Sequence, residues 1–306
     1  LMQKTFWKRR SVLILTAIFC CALWGSAVPF IKTGYQLFSI SASDTPSILL
    51  FAGLRFTCSG ILVLLIGSLI QKRLLLPTRT AVRSIPVLAF FQTAGQYFFY
   101  YIGLAHTSGV NGSIISGTSA FFALLIASLL FHYERLDLRK VIGCLLGFFG
   151  ILIMNIQDLQ SISGLGDGFV LISQICSALS AAFIKKFTKT DDAVMLSGYQ
   201  FFLGGIVLVL IGSCMGGHLA LTNIAGIGVL LHLAFVSACA YTLWGILLSN
   251  HPVSQVGIFS CLIPVMGVLL SAFMLQETQQ AFSFSSLISL LLIVWGVGLV
   301  NAREEN

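Results

Sequence analysis

The polar residues lying inside otherwise apolar runs are the ones able to do chemistry in this chain. Gln92, Gln96 and Tyr100 recur every four residues and so share one helical face. Asn111, Ser116, Thr118 and Ser119 occupy the next apolar stretch, Gln174, Ser177 and Ser180 a later one, and His232, Ser237, Tyr241 and Trp244 another. Trp24 and Arg55 complete the set from the first two stretches. Amide, hydroxyl and guanidinium groups in such places can hydrogen-bond a polar solute, while Trp24, Tyr100, Tyr241 and Trp244 supply stacking or apolar walls. Their alternative role is structural: interhelical hydrogen bonds worth about 0.6 kcal/mol each on average. Tyr97, Tyr101 and Trp244 also suit an interfacial aromatic belt. No phosphate loop with its Lys, zinc-type His pair, Ser–His–Asp grouping or intramembrane carboxylate pair is present. Catalysis, metal and cofactor are therefore not expected, and a membrane enzyme is a distant alternative.

The elements that must position these residues follow from composition. Of 306 residues, 57% are hydrophobic and only 9% charged. A soluble domain is nearer a quarter charged, and a fold this apolar could not cover its own surface with polar groups. A bilayer removes that demand, at roughly 20 apolar residues per spanning helix. The chain divides into spans at 11–35, 46–70, 84–105, 109–131, 138–156, 166–186, 193–215, 223–248, 253–275 and 282–301. The basic N-terminus before the first span imitates a signal peptide, but the apolar run exceeds a typical leader core and is read as a retained helix. The eight cysteines all fall in apolar segments without ligand spacing and read as small buried hydrophobes.

Charge sets the orientation. With the N-terminus inside, the inner loops and ends hold all of the 17 Lys and Arg residues except Lys32 and Arg55, and the outer loops hold none. The positive-inside rule then expects an even number of spans, with both ends cytoplasmic, in the cell's inner membrane. The net charge of +7 reflects this topology and not a nucleic-acid surface. Lys32 can snorkel to the outer interface. Arg55 lies deeper and needs a partner, which could be Asp44, a carbonyl or a substrate carboxylate. All 10 acidic residues fall in loops, at span ends or in the tail, which argues against a proton-coupled exchanger of lipophilic cations and for a neutral, zwitterionic or anionic solute. His232 could titrate near neutrality but reads as a structural donor. Glu134 and Glu277 read as helix-positioning groups.

The chain also repeats. "SAFFALLIASLLFHYE" (Ser119 to Glu134) aligns without a gap on "LIPVMGVLLSAFMLQE" (Leu262 to Glu277). "GILIMN" at Asn155 matches "GVGLVN" at Asn301, and aligning the second span on the seventh sets Arg55 opposite Gln200 and Gly60 opposite Gly205. Five spans per copy is an odd number, so the second copy enters the membrane from the opposite side. The expected fold is an all-α integral membrane protein of ten transmembrane helices in two inverted five-helix repeats, residues 1–156 and 166–301, with a cytoplasmic tail at 302–306. Small residues four apart in the fourth span read as close packing. Gly117, amid weak helix formers, and Pro264, which should kink the ninth span, stand at matching places and are candidate hinges.

"ALWGSAVPFIK" (Ala22 to Lys32), "LRF" (Leu54 to Phe56) and "LLFHYERLDLRKVIGCLLGFFGILIMN" (Leu129 to Asn155) resemble motifs of the drug/metabolite transporter superfamily, EamA-type branch. The second copy departs from the pattern, with Ser180 in place of Trp24 and Thr278 after Glu277. The resemblance spans essentially the whole chain. It implies a transporter, mostly an exporter in this family, of amino acids and related metabolites or of drugs. Multidrug efflux is thus the alternative, and a non-transporting helical scaffold the distant one. Expected partners are membrane lipid and a small-molecule substrate, with a homodimer left open and nucleic acid excluded.

Overall fold

The computed structural model describes residues 6–41, 43–107, 109–155, 163–220, 224–275 and 284–302. These form ten helical stretches and no strand. They are α1 (Arg10–Leu37), α2 (Thr45–Gln71), α3 (Arg79–Leu88, Ala89–Ala94 and Gly95–His106 in succession), α4 (Gly109–Ser116, Ser119–Leu125, Ile126–Leu130), α5 (Leu138–Asn155), α6 (Gly164–Phe187), α7 (Ala193–Cys214), α8 (Ile224–Asn250), α9 (Val253–Gly257, Ile258–Cys261, Leu262–Leu275) and α10 (Phe284–Val300). Seven have the length and apolarity to cross a membrane: α1, α2, α4 from Asn111, α5, α6, α7 and α8. Glu277 lies outside the described residues.

Helix starts follow local chemistry. Asp44 accepts a hydrogen bond from the Ser47 amide (3.1 Å) and opens α2; Asp192 accepts from the Met195 amide (2.9 Å) and opens α7. The two repeat-related helices thus begin with the same cap. At α6 the Ser163 hydroxyl accepts from Gly166 N while Asp167 reaches back to Ser163 N, a reciprocal cap.

The packing is symmetric under exchange of the two halves. α2 lies on α7 and α5 on α10; α1 packs on α8 and α9, while α6 packs on α3 and α4. Equivalent helices run antiparallel. A Cβ on Gly53 would stand 2.5 Å from Val209 N, one on Gly60 2.5 Å from Phe202 N, and one on Gly212 2.7 Å from Leu50 N. Contacts descend α7 as they ascend α2. On α5, Gly143 abuts Val300 and Gly150 abuts Ile293 in the same sense. Without a hydrophobic drive between helices in lipid, close approach through small residues gains dispersion that larger side chains would forfeit.

Three helices are not continuous α-helix. α3 contains a π-helical turn at Ala89–Ala94 and α4 another at Ile126–Leu130. α4 also tightens at Gly117 and Thr118, whose amides bond to Ile114 O and Ile115 O (3.0 and 2.9 Å). α9 turns 3₁₀ at Ile258–Cys261, the place matching Ile115 to Thr118 in the alignment above. Pro264 follows this turn at the third position of Leu262–Leu275. The N–H it lacks would have been the α-helical donor to the Ser260 carbonyl, so the 3₁₀ turn lies where the proline interrupts the ladder.

Replacing Gly205 by Ile should block the α2–α7 contact, because even a Cβ there overlaps the Thr57 backbone. A loss of about 3 kcal/mol is expected, seen as reduced thermal stability in detergent. Gly228→Ala, with no atom within 4 Å of the new Cβ, should leave stability unchanged or slightly raised.

Candidate functional site

Where α2, α3, α7 and α8 meet, repeat-related side chains touch one another. Phe56 and Phe201 stack with centroids 5.6 Å apart and rings 8° from parallel. The Tyr97 and Tyr241 hydroxyls hydrogen-bond to each other. The register that sets Gly60 opposite Gly205 sets Phe56 opposite Phe201, and nearly the same register sets Tyr97 opposite Tyr241. A residue can contact its own repeat partner only near the axis relating the two halves, so these pairs mark that axis.

Flanking them are two related hydrogen bonds of unequal chemistry. Arg55 Nε donates to Ser237 Oγ at 3.0 Å; in the matching place Thr93 Oγ1 donates to Gln200 Oε1 at 2.7 Å. One half thus contributes a cation where the other contributes a neutral amide. Arg55 is 4% exposed and its guanidinium carbon sits 4.7 Å from the centre of the Phe56 ring. Tyr35, Tyr97, Tyr101 and Tyr241 lie in its neighbourhood. Among the described residues it has no ion pair: Asp44, a partner considered from sequence, is occupied as the α2 cap.

Trp24 joins this centre from α1, edge-on to Tyr241 (4.9 Å) and to Trp244 (5.1 Å). The following Gly25 allows it, because a Cβ there would lie 2.7 Å from the Gly267 backbone of α9. Two buried N–H groups lack an acceptor among the described residues, Trp24 Nε1 and Gln200 Nε2. Each such orphan costs about 1–3 kcal/mol. The centre therefore holds two N–H donors left without partners among the described residues.

The other sequence candidates divide. Tyr100 stands 6.5 Å from Tyr97, ring to ring, and bonds toward Ser116, which receives Gln174 Nε2 at 3.4 Å. Ser119 meets Ser260 of α9 at 3.3 Å, beside the two tightened turns. Gln92 and Asn111 are buried, and Gln96 and Ser177 half-buried; the Ser177 carbonyl accepts the Ser180 hydroxyl at 2.7 Å. Tyr97 and Tyr101 belong to the interior cluster, and His232 is exposed, 4.3 Å from the Phe30 ring. Sequence reasoning passed over Phe56, Thr93, Phe201 and Gln200 as site members. Extending the repeat register from α2/α7 to α3/α8 was the signal that could have found the axis pairs.

A second polar cluster closes one end of the bundle. Glu134, just after α4, pairs with Lys140 of α5 at 2.9 Å, the two side chains 5% and 8% exposed. Glu134 also accepts from the Ser254 amide (2.9 Å) and hydroxyl. It thereby caps α9, whose own cap residue Pro252 has no side-chain acceptor, so it positions a helix of the other half as well as its own. Close by, His251 Nε2 meets Trp7 O at 2.7 Å. Burial pushes the His251 imidazole below its ordinary value, opposed by that hydrogen bond and reinforced by Lys185.

Glu134→Ala should remove the carboxylate that pairs with the buried Lys140 ammonium and cost about 3–5 kcal/mol, read as lowered thermal stability; Glu134→Ala with Lys140→Met should recover part of it. Because the folded protein holds His251 neutral more firmly than the unfolded chain, stability should fall as pH drops below about 6.5. His251→Gln should flatten that part of the pH–stability curve.

Comparison with known proteins agrees with this architecture. A solved crystal structure superposes with a TM-score of 0.79, covering 96% of this chain and 97% of that one at 18% identity, a likeness of fold. A protein of Bacillus subtilis (strain 168) described as the uncharacterized transporter YvbV is 26% identical over 97% of this chain and 93% of its own length. YyaM of the same organism, described in the same words, is 26% identical over 60% of this chain and 63% of itself. A protein of Escherichia coli (strain K12) described as a probable amino-acid metabolite efflux pump is 28% identical over 88% of each chain. These names denote transporters and not enzymes. The model of the EamA-like transporter family matches twice, over residues 11–156 and 164–302, so this chain, a multi-pass integral membrane protein, belongs to the EamA-like transporter family.

Proposed function

We propose that the protein exports small carboxylate-bearing metabolites, such as amino acids or related solutes, by alternating access between two inverted five-helix halves. The observation that carries this reading is Arg55, a buried guanidinium with one hydroxyl partner and no acidic neighbour among the described residues. A buried unpaired charge is costly, and intramembrane charges generally face a path or a ligand. A carboxylate offers the bidentate geometry that a guanidinium matches best. Trp24 Nε1 and Gln200 Nε2 add further donors without partners, and Trp24, Tyr100, Tyr241 and Trp244 form the aromatic walls.

The same charge discriminates against organic cations. At about 5 Å and an effective dielectric of about 20, a like charge costs roughly 3 kcal/mol, a factor of more than a hundred in affinity. This weighs against the multidrug alternative for cationic drugs. In this reading α3, α9 and α10 also span the membrane, giving ten crossings. Both termini face the cytoplasm, and the basic clusters place the protein in the cell's inner membrane. The tightened turns at Gly117 and Ile258–Cys261 are the hinges, one in each half, and Gln92, Gln96, Asn111, Ser116, Ser119, Gln174 and Ser177 line the path. The efflux function of the Escherichia coli relative supports the direction.

Proteoliposome counterflow against a panel of labelled amino acids, organic acids and cationic drugs tests the proposal. Carboxylate-bearing solutes should exchange and cationic drugs should not. Arg55→Gln should reduce carboxylate exchange at least tenfold while the protein remains folded. Unchanged carboxylate exchange by that variant would remove Arg55 from the path and with it this assignment.

A further inference from the structure

At the end of the bundle closed by Glu134 lies a cavity of about 580 Å³, lined from both halves by residues that include Lys8, Arg10, Arg135, Lys140, Gln255 and Asn301. Among the described residues its charge is unbalanced: Glu134 is the one acidic group that lines it, and it is committed to Lys140 and Ser254. Lys8, Arg10 and Arg135 have no ion pair among the described residues. A void of this size falls in the range of organic-ligand pockets, about 300–1,000 Å³, and far exceeds what a bare phosphate ion would fill.

The surroundings are amphiphilic. Phe6 and Leu15 on the α1 side, and Leu130, Leu136 and Leu138 around the α4–α5 junction, are large apolar side chains left exposed. Leu13 extends apolar character into the cavity itself. Lining cations with exposed hydrocarbon next to them in the chain are what an anionic amphiphile can use, and a soluble anion gains nothing from the second. Basic pockets between helices on the cytoplasmic side suit phospholipid headgroups, each cation near the surface contributing about 1 kcal/mol.

We propose that this pocket binds the phosphate headgroup of an anionic phospholipid, with Lys8, Arg10 and Arg135 meeting the phosphate and the acyl chains lying over the exposed leucines. The site joins the halves through the Glu134–Ser254 contact, so a bound lipid favours the arrangement in which this end is closed. The inference rests on this end lying at a membrane surface. It does not depend on Arg55 or on which solute is carried, so failure of carboxylate transport would leave it standing.

The test is thermal unfolding of the full chain in neutral detergent, titrated with phosphatidylglycerol, phosphatidylcholine, glycerol 3-phosphate or inorganic phosphate. Ligands that bind the folded form raise its unfolding temperature. Phosphatidylglycerol should do so and phosphatidylcholine should not. Arg10→Gln with Arg135→Gln should weaken the phosphatidylglycerol titration about thirtyfold. Arg79→Gln with Arg83→Gln, basic residues of α3 outside the cavity, should leave it unchanged. Equal weakening by both double variants, or no weakening by the first, would overturn the proposal. So would an equal shift from either soluble phosphate at the same concentration, which would mark a soluble-anion site. Should the Arg10/Arg135 variant fail to fold, photoreactive phosphatidylglycerol on the unaltered protein decides the matter: labelling at Leu13, Tyr133 or Gln255 supports the site, and labelling confined to other segments refutes it.

Discussion

Gly53, Gly60, Gly205 and Gly212 let α2 and α7 meet backbone to backbone, and the positions of the other helices follow from that contact. In lipid, two apolar helices gain little by exchanging hydrocarbon neighbours, so shape and close approach decide which faces meet. Because the two helices are copies of one ancestral element and lie antiparallel, their contact defines a twofold relation. Once that axis is fixed, α3 falls on α6 and α8 on α1 by the same rule. The α5–α10 pair repeats the solution at the far side with Gly143, Gly150 and Gly296.

The axis explains why the polar centre is where it is. Residues close to a twofold axis meet their own counterparts, so whatever the ancestral repeat placed there is doubled. Phe56 with Phe201 and Tyr97 with Tyr241 preserve the doubling. Arg55 and Gln200 break it. Two guanidiniums close together in low dielectric would repel strongly, whereas one guanidinium and one amide do not. The centre therefore carries one fixed positive charge, from Arg55, with the neutral Gln200 at the matching place.

The irregular helical turns have a related logic. A continuous α-helix satisfies every backbone group and resists bending. The 3₁₀ turn at Ile258–Cys261 and the tightened turn at Gly117 and Thr118 occur at matching points of α9 and α4. There the Ser119 and Ser260 hydroxyls link the two helices. Each half thus has one tightened turn at the matching place of its fourth helix.

Composition and charge spacing, read alone, dictated a helical membrane protein with a repeated plan, because bilayer thickness and the positive-inside rule act on local stretches of chain. The repeat register and the Trp24–Gly25 and Glu134 motifs were equally legible, being linear patterns. What sequence could not decide was contact across the bundle. It listed Arg55 among several polar residues and offered Asp44 as a partner, whereas the fold places Ser237 beside Arg55 and uses Asp44 as a cap. It assigned Glu134 to helix positioning without knowing that the helix capped belongs to the other half. It expected Pro264 to disturb the ninth span, and the 3₁₀ turn lies in the preceding turn, but only the fold sets that turn beside Gly117 and Thr118 of α4 through Ser119 and Ser260. In each case the deciding term is a distance between residues far apart in the chain, set by how glycine-lined helices seat against each other, and no local pattern records it.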